Sequence, residues 1–505
     1  QFYSRMSGSY KALEAQFRRL SLIGEAIGML RWDMSVMMPD SSSAARGEQI
    51  ANLKLTAHEI LSSTKVADFL TEAESATWNL DEWQIRNLQL MRRRWLHSTA
   101  VPVDLLDAFT RSCVKTESAW RVARLQSDFK AILPELENLL GLVREVATAK
   151  SEVLGVLPYE ALLDSYEPGA EIQQLDSLFD DYALFLPNFL EEVLERQSSR
   201  PPPRLPEGPF PERRQEALCR HMAEAVGFDF LSGRLDATLH PFSGGIPEDS
   251  RITTRYDETN FTSSLMGVLH ETGHAMYERG RPKGWRYQPI GETPGLGMHE
   301  SQSLIIEMQA SRSRSFFSWA APIMRDAFAG TGKGWEVENL YRLATKVERS
   351  FIRVDADEVT YPAHVILRYR LERAMIDGDL LPRDLPEAWE DQMNQLLAIS
   401  PPNDRHGCLQ DIHWYDGAWG YFHTYSLGAM AAAQLFGAAC ESDPHIEVGL
   451  GVGDFSRLMQ WLRTNVHNLG ARFTTNEILE QATGRILDPE AFKVHLKTRY
   501  LEELW

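Results

Sequence analysis

Apolar residues recur at steps of three and four along much of the chain, which is the spacing of one face of an α-helix. The first stripe predicts one long helix, which Pro39 and Asp40 should end. Its members are Tyr10, Leu13, Phe17, Leu20, Ile23, Ile27, Leu30 and Met34. The same spacing returns at residues 136–146 and 175–186. We therefore predict that most of the chain is helical.

Alternating β-branched residues are rare, and residues 251–256 (RITTRY) are the best candidate strand. The expected fold class is mainly α, with at most one small β-sheet. One stretch, residues 198–211 (SSRPPPRLPEGPFP), is rich in proline, which removes backbone donors and fixes φ. We interpret it as a connection between residues 1–197 and residues 212–505 of a single domain, 1–505.

Charge narrows the range of partners. The 505 residues contain 52 Lys and Arg against 71 Asp and Glu, a net charge of −19. This balance argues against nucleic acid and against an anionic membrane, since both bind through Lys and Arg. The N-terminal residues 1–20 contain no apolar signal-peptide core, and the weakly polar run 427–440 is too short to span a bilayer. Four widely separated cysteines fit a reducing compartment, so we expect a cytoplasmic protein.

The chemically informative segment is His270-Glu271-Thr272-Gly273-His274. On a helix, residues four apart lean toward the same point, so both imidazoles can bind one zinc ion while Glu271 lies beside them as a general base. Asn260 is a suitable N-cap for this helix, and Gly280 followed by Pro282 should end it. A helix with two incidental histidines is the alternative.

A catalytic zinc ion needs a third protein ligand. Tyr277 and Gly280 occupy the positions where a metzincin has glycine and histidine, so that class is excluded. A carboxylate from a following helix remains, and Glu300 in residues 298–309 is our candidate. Glu307, two turns further on, and His299 are competitors. We expect Glu307 to be a surface charge, with a hydrogen bond to a zinc-bound imidazole as its alternative role.

These motifs, His270 to His274 followed by His299-Glu300-Ser301-Gln302, resemble the carboxypeptidase Taq family of metallocarboxypeptidases. Further signatures of that family stand in order along the chain. They are Trp32-Asp33, Tyr159-Glu160-Ala161-Leu162-Leu163-Asp164, His240-Pro241-Phe242, Asp249-x-Arg251-x-Thr253, Ile352-Arg353-x-x-Ala356-Asp357 and Gly407-x-x-Gln410-Asp411-x-His413-Trp414. One departure is His423, where the resemblance leads us to expect proline. The likeness covers essentially the whole chain.

The resemblance implies a helical, cytoplasmic and commonly homodimeric enzyme that removes single residues from peptides with a free C-terminus. It further implies a deep groove, roofed by the helices of residues 1–197, and one divalent metal ion per chain. We expect zinc, with cobalt as an alternative because nitrogen and oxygen ligands accept both.

Further site residues are suggested, some by the chemistry of their side chains and others by the resemblance. An exopeptidase must bind a free carboxylate, for which a guanidinium fork is suited, and Arg353, then Arg251, are the candidates. Tyr421 and Tyr425 follow a glycine-bearing stretch and could donate to the developing oxyanion. The resemblance adds His413 and His240 as donors.

Two other functions remain open at this point. An oligopeptidase or dipeptidyl carboxypeptidase could use the same metal ligands, because these do not determine how many residues leave. A non-catalytic helical interaction protein is the alternative from another class.

Overall fold

The computed structural model describes residues 2–502, with side chains from Gly8 to Glu502. Within these residues it contains 21 α-helices and one three-stranded sheet, so the mainly α prediction is confirmed. The helices are α1 (Phe2–Val36), α2 (Ser43–Leu61), α3 (Thr64–Glu74), α4 (Glu82–Thr99), α5 (Val103–Gln126), α6 (Phe129–Leu154), α7 (Pro158–Leu163), α8 (Ile172–Ser198), α9 (Glu212–Val226), α10 (Phe261–Gly280), α11 (Leu296–Leu304), α12 (Arg314–Ala327), α13 (Val337–Ala344), α14 (Tyr361–Asp377), α15 (Leu385–Leu397), α16 (His413–Asp416), α17 (His423–Ser442), α18 (His445–Leu450), α19 (Ser456–Asn465), α20 (Thr475–Thr483) and α21 (Pro489–Lys497).

The three predicted apolar stripes lie in α1, α6 and α8. In α1 the first three residues of the stripe, Tyr10, Leu13 and Phe17, are buried and Leu20 is partly buried, whereas Met34 near the end is 43% exposed. Residues 199–211 connect α8 to α9 without helix or strand, as their prolines predict.

Residues 2–502 group into two compact units. The first contains residues 2–98, 203–344 and 431–487, and the second contains residues 99–202, 345–430 and 488–502. The chain leaves the second unit for the first within the proline-rich segment. That residues 1–505 act as one domain stays a prediction.

In the first unit, α1 packs against α3 and α2. Tyr10, Leu13 and Phe17 of α1 form a buried cluster with Val66 and Leu70 of α3, which removes the apolar stripe from water. Burial of such side chains stabilises the fold by about 1.5–3 kcal/mol each. The stripe is therefore explained by its partner helices.

The sheet belongs to the first unit and contains β1 (Gly233–Ala237), β2 (Ser243–Ile246) and β3 (Asp249–Thr254) in the order β1-β3-β2. β3 pairs parallel to β1 and antiparallel to β2. It covers most of the strand predicted at residues 251–256 and begins two residues earlier. Helix α10 packs against β3, α9 and α11, which places residues 270–274, the HExxH segment, in the interior of this unit.

In the second unit, α5 and α6 form an antiparallel pair, and α14 packs against α6, α8 and α15. Helix α14 is buried along most of its length, including the charged residues Arg368 and Glu372. Such charges need internal partners. Among residues 2–502, no helix is both long and apolar enough to cross a membrane.

Candidate metal centre

Helix α10 forms as the sequence predicts. Asn260 caps its N-terminus by accepting a hydrogen bond from the backbone N–H of Thr262 at 3.1 Å. Leu265, Val268 and Leu269 are completely buried, which fixes the rotation of the helix. That rotation brings the His270 and His274 rings, one turn apart, to a centroid distance of 4.9 Å.

Glu300, on the following helix α11, meets these two histidines. Its Oε2 atom lies 3.8 Å from Nε2 of His270 and 3.4 Å from Nε2 of His274. One possible ligand atom from each of the three residues lies within 4.8 Å of the others. Among the described residues, this is the one group of His, Cys, Asp and Glu side chains with metal-binding geometry.

The spacing of these atoms fits a divalent ion. Ligand atoms that bind one tetrahedral zinc ion at about 2.1 Å lie about 3.4 Å from one another. The two distances to Glu300 match this value to within a few tenths of an ångström. Two imidazoles and one carboxylate are also the donor set of catalytic zinc sites, which leave a fourth position open. The three residues therefore fit the metal that the sequence implies.

Glu307 corrects the sequence analysis, which expected a surface charge. Its Oε2 atom lies 2.9 Å from Nδ1 of His270, and its Oε1 atom accepts from Arg312 at 3.0 Å. Glu307 lies in a π-helical turn, Ile305–Ala310, that continues α11 and turns the carboxylate inward. An acceptor on Nδ1 leaves Nε2 of His270 free to bind a metal, which is the usual support for a zinc-bound histidine.

We predict that Glu307→Gln lowers the affinity for the metal by about 10- to 100-fold, because the amide orients His270 more weakly than the carboxylate does. Titration of the metal-free protein with a competing chelator measures this change. Glu338→Gln is the control, since Glu338 pairs with Arg314 on the surface. Equal affinities for all three proteins would contradict the role of Glu307.

Glu271 lies beside the ligands and is only 7% exposed. Burial raises its pKa to about 7, with His270 opposing and the carboxylates of Glu300 and Glu307 adding to the rise. For His270, burial lowers the pKa, but the carboxylates of Glu300, Glu307 and Glu271 outweigh the effect of burial and raise the pKa to about 10. The centre thus holds more negative charge than its histidines balance, which favours a bound cation.

His299, the competing ligand, has another partner. Its Nε2 atom lies 2.9 Å from Oε1 of Glu278, which also pairs with Arg281. Its ring stacks on His274 at a centroid distance of 4.4 Å and an angle of 22°. His299 therefore packs against a candidate ligand, and its Nε2 atom points to Glu278.

Gly273, inside the HExxH segment, allows α10 and α11 to approach closely. A Cβ atom at this position would lie 2.5 Å from the carbonyl oxygen of Gln302 and 2.7 Å from Cα of Ser303. Both are backbone atoms and cannot rotate away. No role for Gly273 could be predicted from the sequence, because the requirement for glycine comes from the partner helix.

We predict that Gly273→Ala destabilises the protein by about 1–3 kcal/mol and lowers its metal content, because the added methyl group pushes Glu300 away from the histidines. Thermal unfolding and elemental analysis measure the two effects. Gly28→Ala is the control, since nothing lies within 4 Å of a Cβ atom there and alanine favours the helix. An unchanged melting temperature for Gly273→Ala would contradict the close approach.

Two candidates lie elsewhere in the first unit. His240 is exposed. Arg251 binds Asp249 through two nitrogens, at 3.1 and 2.7 Å, and stacks on the ring of Trp32 at 4.2 Å. The guanidinium of Arg251 is thus already bound by Asp249, a residue of the same sequence motif.

Arg353 belongs to the second unit and is 6% exposed. Its Nε and Nη2 atoms donate to Asp411 at 3.3 and 2.8 Å, and its Nη1 atom donates to Tyr361 at 2.9 Å. Asp411 also accepts from Arg368 at 2.6 Å. Three of the five N–H groups of Arg353 are engaged in these bonds, which leaves one on Nη1 and one on Nη2 for a ligand.

The remaining candidates surround Arg353 in the same unit. Its guanidinium lies 4.9 Å from the ring centre of Tyr425, whose Oη atom is 3.4 Å from Nε2 of His413. The Tyr421 ring lies 5.3 Å from Tyr425 and 5.5 Å from His413. Burial lowers the pKa of His413 to about 4, so its ring is neutral near pH 7. The structure brings these four candidates together.

Comparison with known proteins adds a second line of evidence. Residues 12–500 match the model of the carboxypeptidase Taq (M32) metallopeptidase family. The chain belongs to this family. The chain is 34% identical over 500 residues to thermostable carboxypeptidase 1 of Thermus thermophilus, covering 96% of this chain and 97% of the relative.

Solved structures of M32 carboxypeptidases are similar over nearly their whole length. Metallocarboxypeptidase 1 of Trypanosoma cruzi is 40% identical with a TM-score of 0.96, and the match covers 98% of this chain and 99% of that one. The M32 carboxypeptidase of Deinococcus radiodurans is 33% identical with a TM-score of 0.92, at 98% and 99% coverage. The protein is therefore a metallocarboxypeptidase that uses a divalent metal and acts on peptides, rather than a non-catalytic helical protein.

This M32 chain holds its Tyr421 segment through a buried carboxylate that the sequence analysis missed. Glu372 accepts hydrogen bonds from Tyr159 at 2.7 Å, from Trp414 at 2.7 Å and from the backbone N–H of Gly420 at 2.8 Å. Gly420 has a φ of 86°, and a Cβ atom there would lie 2.8 Å from the backbone of Leu162. The sequence offers little indication of a role for Glu372, because polar and apolar residues do not separate onto two faces of α14.

His423, where the M32 resemblance leads us to expect proline, is the first residue of α17 and is 1% exposed. The first turn of a helix tolerates proline, since its N–H groups have no partner within the helix. Burial lowers the pKa of His423 to about 3, so the imidazole occupies this position uncharged. Histidine in place of the expected proline is therefore compatible with the first position of α17.

Proposed function

We propose that His270, His274 and Glu300 hold one divalent metal ion and that the enzyme releases single amino acids from the C-termini of peptides. The observation that carries this proposal is the convergence of the three ligand atoms within 4.8 Å. We propose zinc as the ion and cobalt as its alternative, because the same donors accept both. When bound, the ion polarises the scissile carbonyl and lowers the pKa of water near it.

We propose Glu271 as the general base. Its carboxylate takes a proton from the attacking water and later gives that proton to the leaving amine. The buried position of Glu271 between the two histidines supports this role, because it keeps the carboxylate within one helical turn of both candidate ligands. A bound cation would lower the pKa of Glu271 below its metal-free value and keep the carboxylate ionised.

We further propose that Tyr421, Tyr425, His413 and His240 supply the donors for the oxyanion that forms during attack. One such donor aimed at the oxyanion is worth about 3–4 kcal/mol. The bond network of Glu372, which holds Gly420, supports Tyr421 in this role because it fixes the backbone next to the phenol. The neutral state of His413 leaves one ring N–H for donation.

Recognition of the free C-terminus is proposed for Arg353, with Arg251 as second candidate. The two remaining N–H groups of Arg353, on Nη1 and Nη2, are suited to bind both oxygens of a carboxylate. Asp411 and Tyr361 hold the guanidinium in one orientation, which reduces the entropy lost when a peptide binds.

We predict that Arg353→Ala raises KM for free-acid peptides by about tenfold or more and removes their preference over C-terminal amides, because the α-carboxylate loses a charged donor pair. Steady-state kinetics on matched acid and amide peptides measure this. Arg370→Ala is the control, since it removes an exposed pair with Asp180 from the same unit. Equal loss on both peptides would indicate a structural role only.

The alternative is an oligopeptidase or dipeptidyl carboxypeptidase with the same metal site. Mass spectrometry of a peptide during digestion separates the two. Stepwise loss of single C-terminal residues is the expected result. Dipeptides or internal fragments as first products would contradict the proposal while leaving the metal chemistry unchanged.

We also propose a homodimer in the cytoplasm. Resemblance to M32 relatives is what supports it. Light scattering coupled to gel filtration tests the dimer, for which the expected mass is about twice the 57.4 kDa of the chain. A single 57.4 kDa species at micromolar concentration would overturn it.

A further inference from the structure

One pocket of the first unit is lined by none of the residues proposed for metal binding, catalysis or substrate binding. It has a volume of about 760 Å³ and lies at the C-terminal end of α10. We call it the basic pocket, after the five cationic side chains that line it. They are Arg279, Arg281, Lys283, Arg286 and Arg463. Among the described residues, only two carboxylates, Glu248 and Glu278, line the pocket. The pocket is therefore basic although the whole chain carries a net charge of −19.

Both of these carboxylates already have partners. Glu248 accepts from Arg286 at 2.8 Å, and Glu278 pairs with Arg281 and with His299. Arg286 also pairs with Glu25. Two of the five cations are therefore balanced within the protein.

The other three differ, since Arg279 has a carboxylate partner whereas Lys283 and Arg463 have none among the described residues. Lys283 and Arg463 have no carboxylate within ion-pair distance among residues 2–502, and both are exposed. Arg279 pairs with Asp229 at 3.7 Å and donates through Nη2 to Oγ of Ser232 at 2.8 Å, while the Nη1 atom of Arg279 has no acceptor among the described residues. Like charges held around one cavity repel one another unless an anion enters.

The C-terminus of α10 accounts for only part of this charge. A helix C-terminus carries about half a negative charge and favours cations in its last turn. The two cations without a carboxylate partner, Lys283 and Arg463, still exceed that requirement several-fold. We propose that the basic pocket binds a small polyanion that carries two or more phosphate or carboxylate groups.

The lining favours this ligand class. Arginine forks match the paired oxygens of phosphate and carboxylate groups. None of the described residues that line the pocket is aromatic, so it offers no surface on which a nucleotide base could stack. The volume is typical of small-molecule sites and exceeds the needs of a single inorganic phosphate.

Isothermal titration of the metal-loaded enzyme at low ionic strength tests the proposal. The probes are fructose 1,6-bisphosphate and tricarballylate, which separate phosphate from carboxylate recognition and bind divalent metals weakly. Metal content is measured before and after each titration. We expect saturable binding of at least one probe, weakened by added salt.

The variant Lys283→Gln with Arg463→Gln should bind the same probe at least about tenfold more weakly. The control Lys65→Gln with Lys333→Gln removes the same charge from exposed positions of the same unit, outside the pocket, and should bind as the wild type does. Binding of neither probe to the wild type, or equal binding to both double variants, would overturn the proposal.

Discussion

Replacing Glu271 with glutamine is expected to lower kcat by about 10²- to 10⁴-fold while the metal stays bound. Glutamine keeps the size of the side chain but cannot take a proton from water. His270, His274 and Glu300 are unchanged, so the affinity for the metal should remain close to that of the wild type. Steady-state kinetics on a free-acid peptide, with elemental analysis of the same sample, measure both quantities.

Glu224→Gln is the matched control for this experiment. Glu224 lies exposed on α9, the helix that packs against α10, and its substitution makes the same chemical change away from the metal. It should leave kcat within about twofold of the wild type. An active Glu271→Gln enzyme that retains its metal would exclude Glu271 as the base.

Replacing His274 with alanine is expected to remove the metal and with it the activity. Loss of a residue that only hydrogen-bonds to a metal ligand lowers metal affinity by about 10- to 100-fold. Loss of a ligand itself should therefore lower the affinity by more than about 100-fold. His274 is 9% exposed and stacks on His299, and its loss also leaves a cavity. Metal content after gel filtration and activity on a peptide are the two measurements.

His445→Ala controls for the loss of an imidazole. His445 is exposed at the start of α18 in the first unit, apart from the metal centre. It should retain both metal and activity. If His274→Ala kept stoichiometric metal, His274 would not be a ligand and the three-residue site would need another donor.

The helices that position the centre could be predicted because they obey one local rule. The stripe from Tyr10 to Phe17 and the buried face of α10 follow a period of three and four. Asn260 was recognised from residue type alone, and its side chain does accept from Thr262. These signals depend on neighbours within one or two turns.

Glu307 and Gly273 could not be assigned in this way. The role of Glu307 depends on the π-helical turn of Ile305–Ala310, for which the sequence offers no pattern. Gly273 is required by the backbone of Gln302 on another helix. Both requirements are tertiary, so reasoning about single helices does not detect them.

Arg353 shows the same limit in the second unit. Its residue type and motif suggested a carboxylate-binding fork, but the sequence could not indicate that Asp411 and Tyr361 engage three of its N–H groups. Glu372 was missed entirely, although it joins Tyr159, Trp414 and Gly420. Buried polar networks of this kind become visible only when distant segments are brought together.

Anomalous diffraction from crystals of the metal-loaded enzyme, recorded on both sides of the absorption edge of the metal, tests the central claim most directly. The account predicts one strong peak about 2.0–2.2 Å from Nε2 of His270, Nε2 of His274 and Oε2 of Glu300. A fully loaded enzyme without a peak between these three atoms, or with its peak on other side chains, would contradict it.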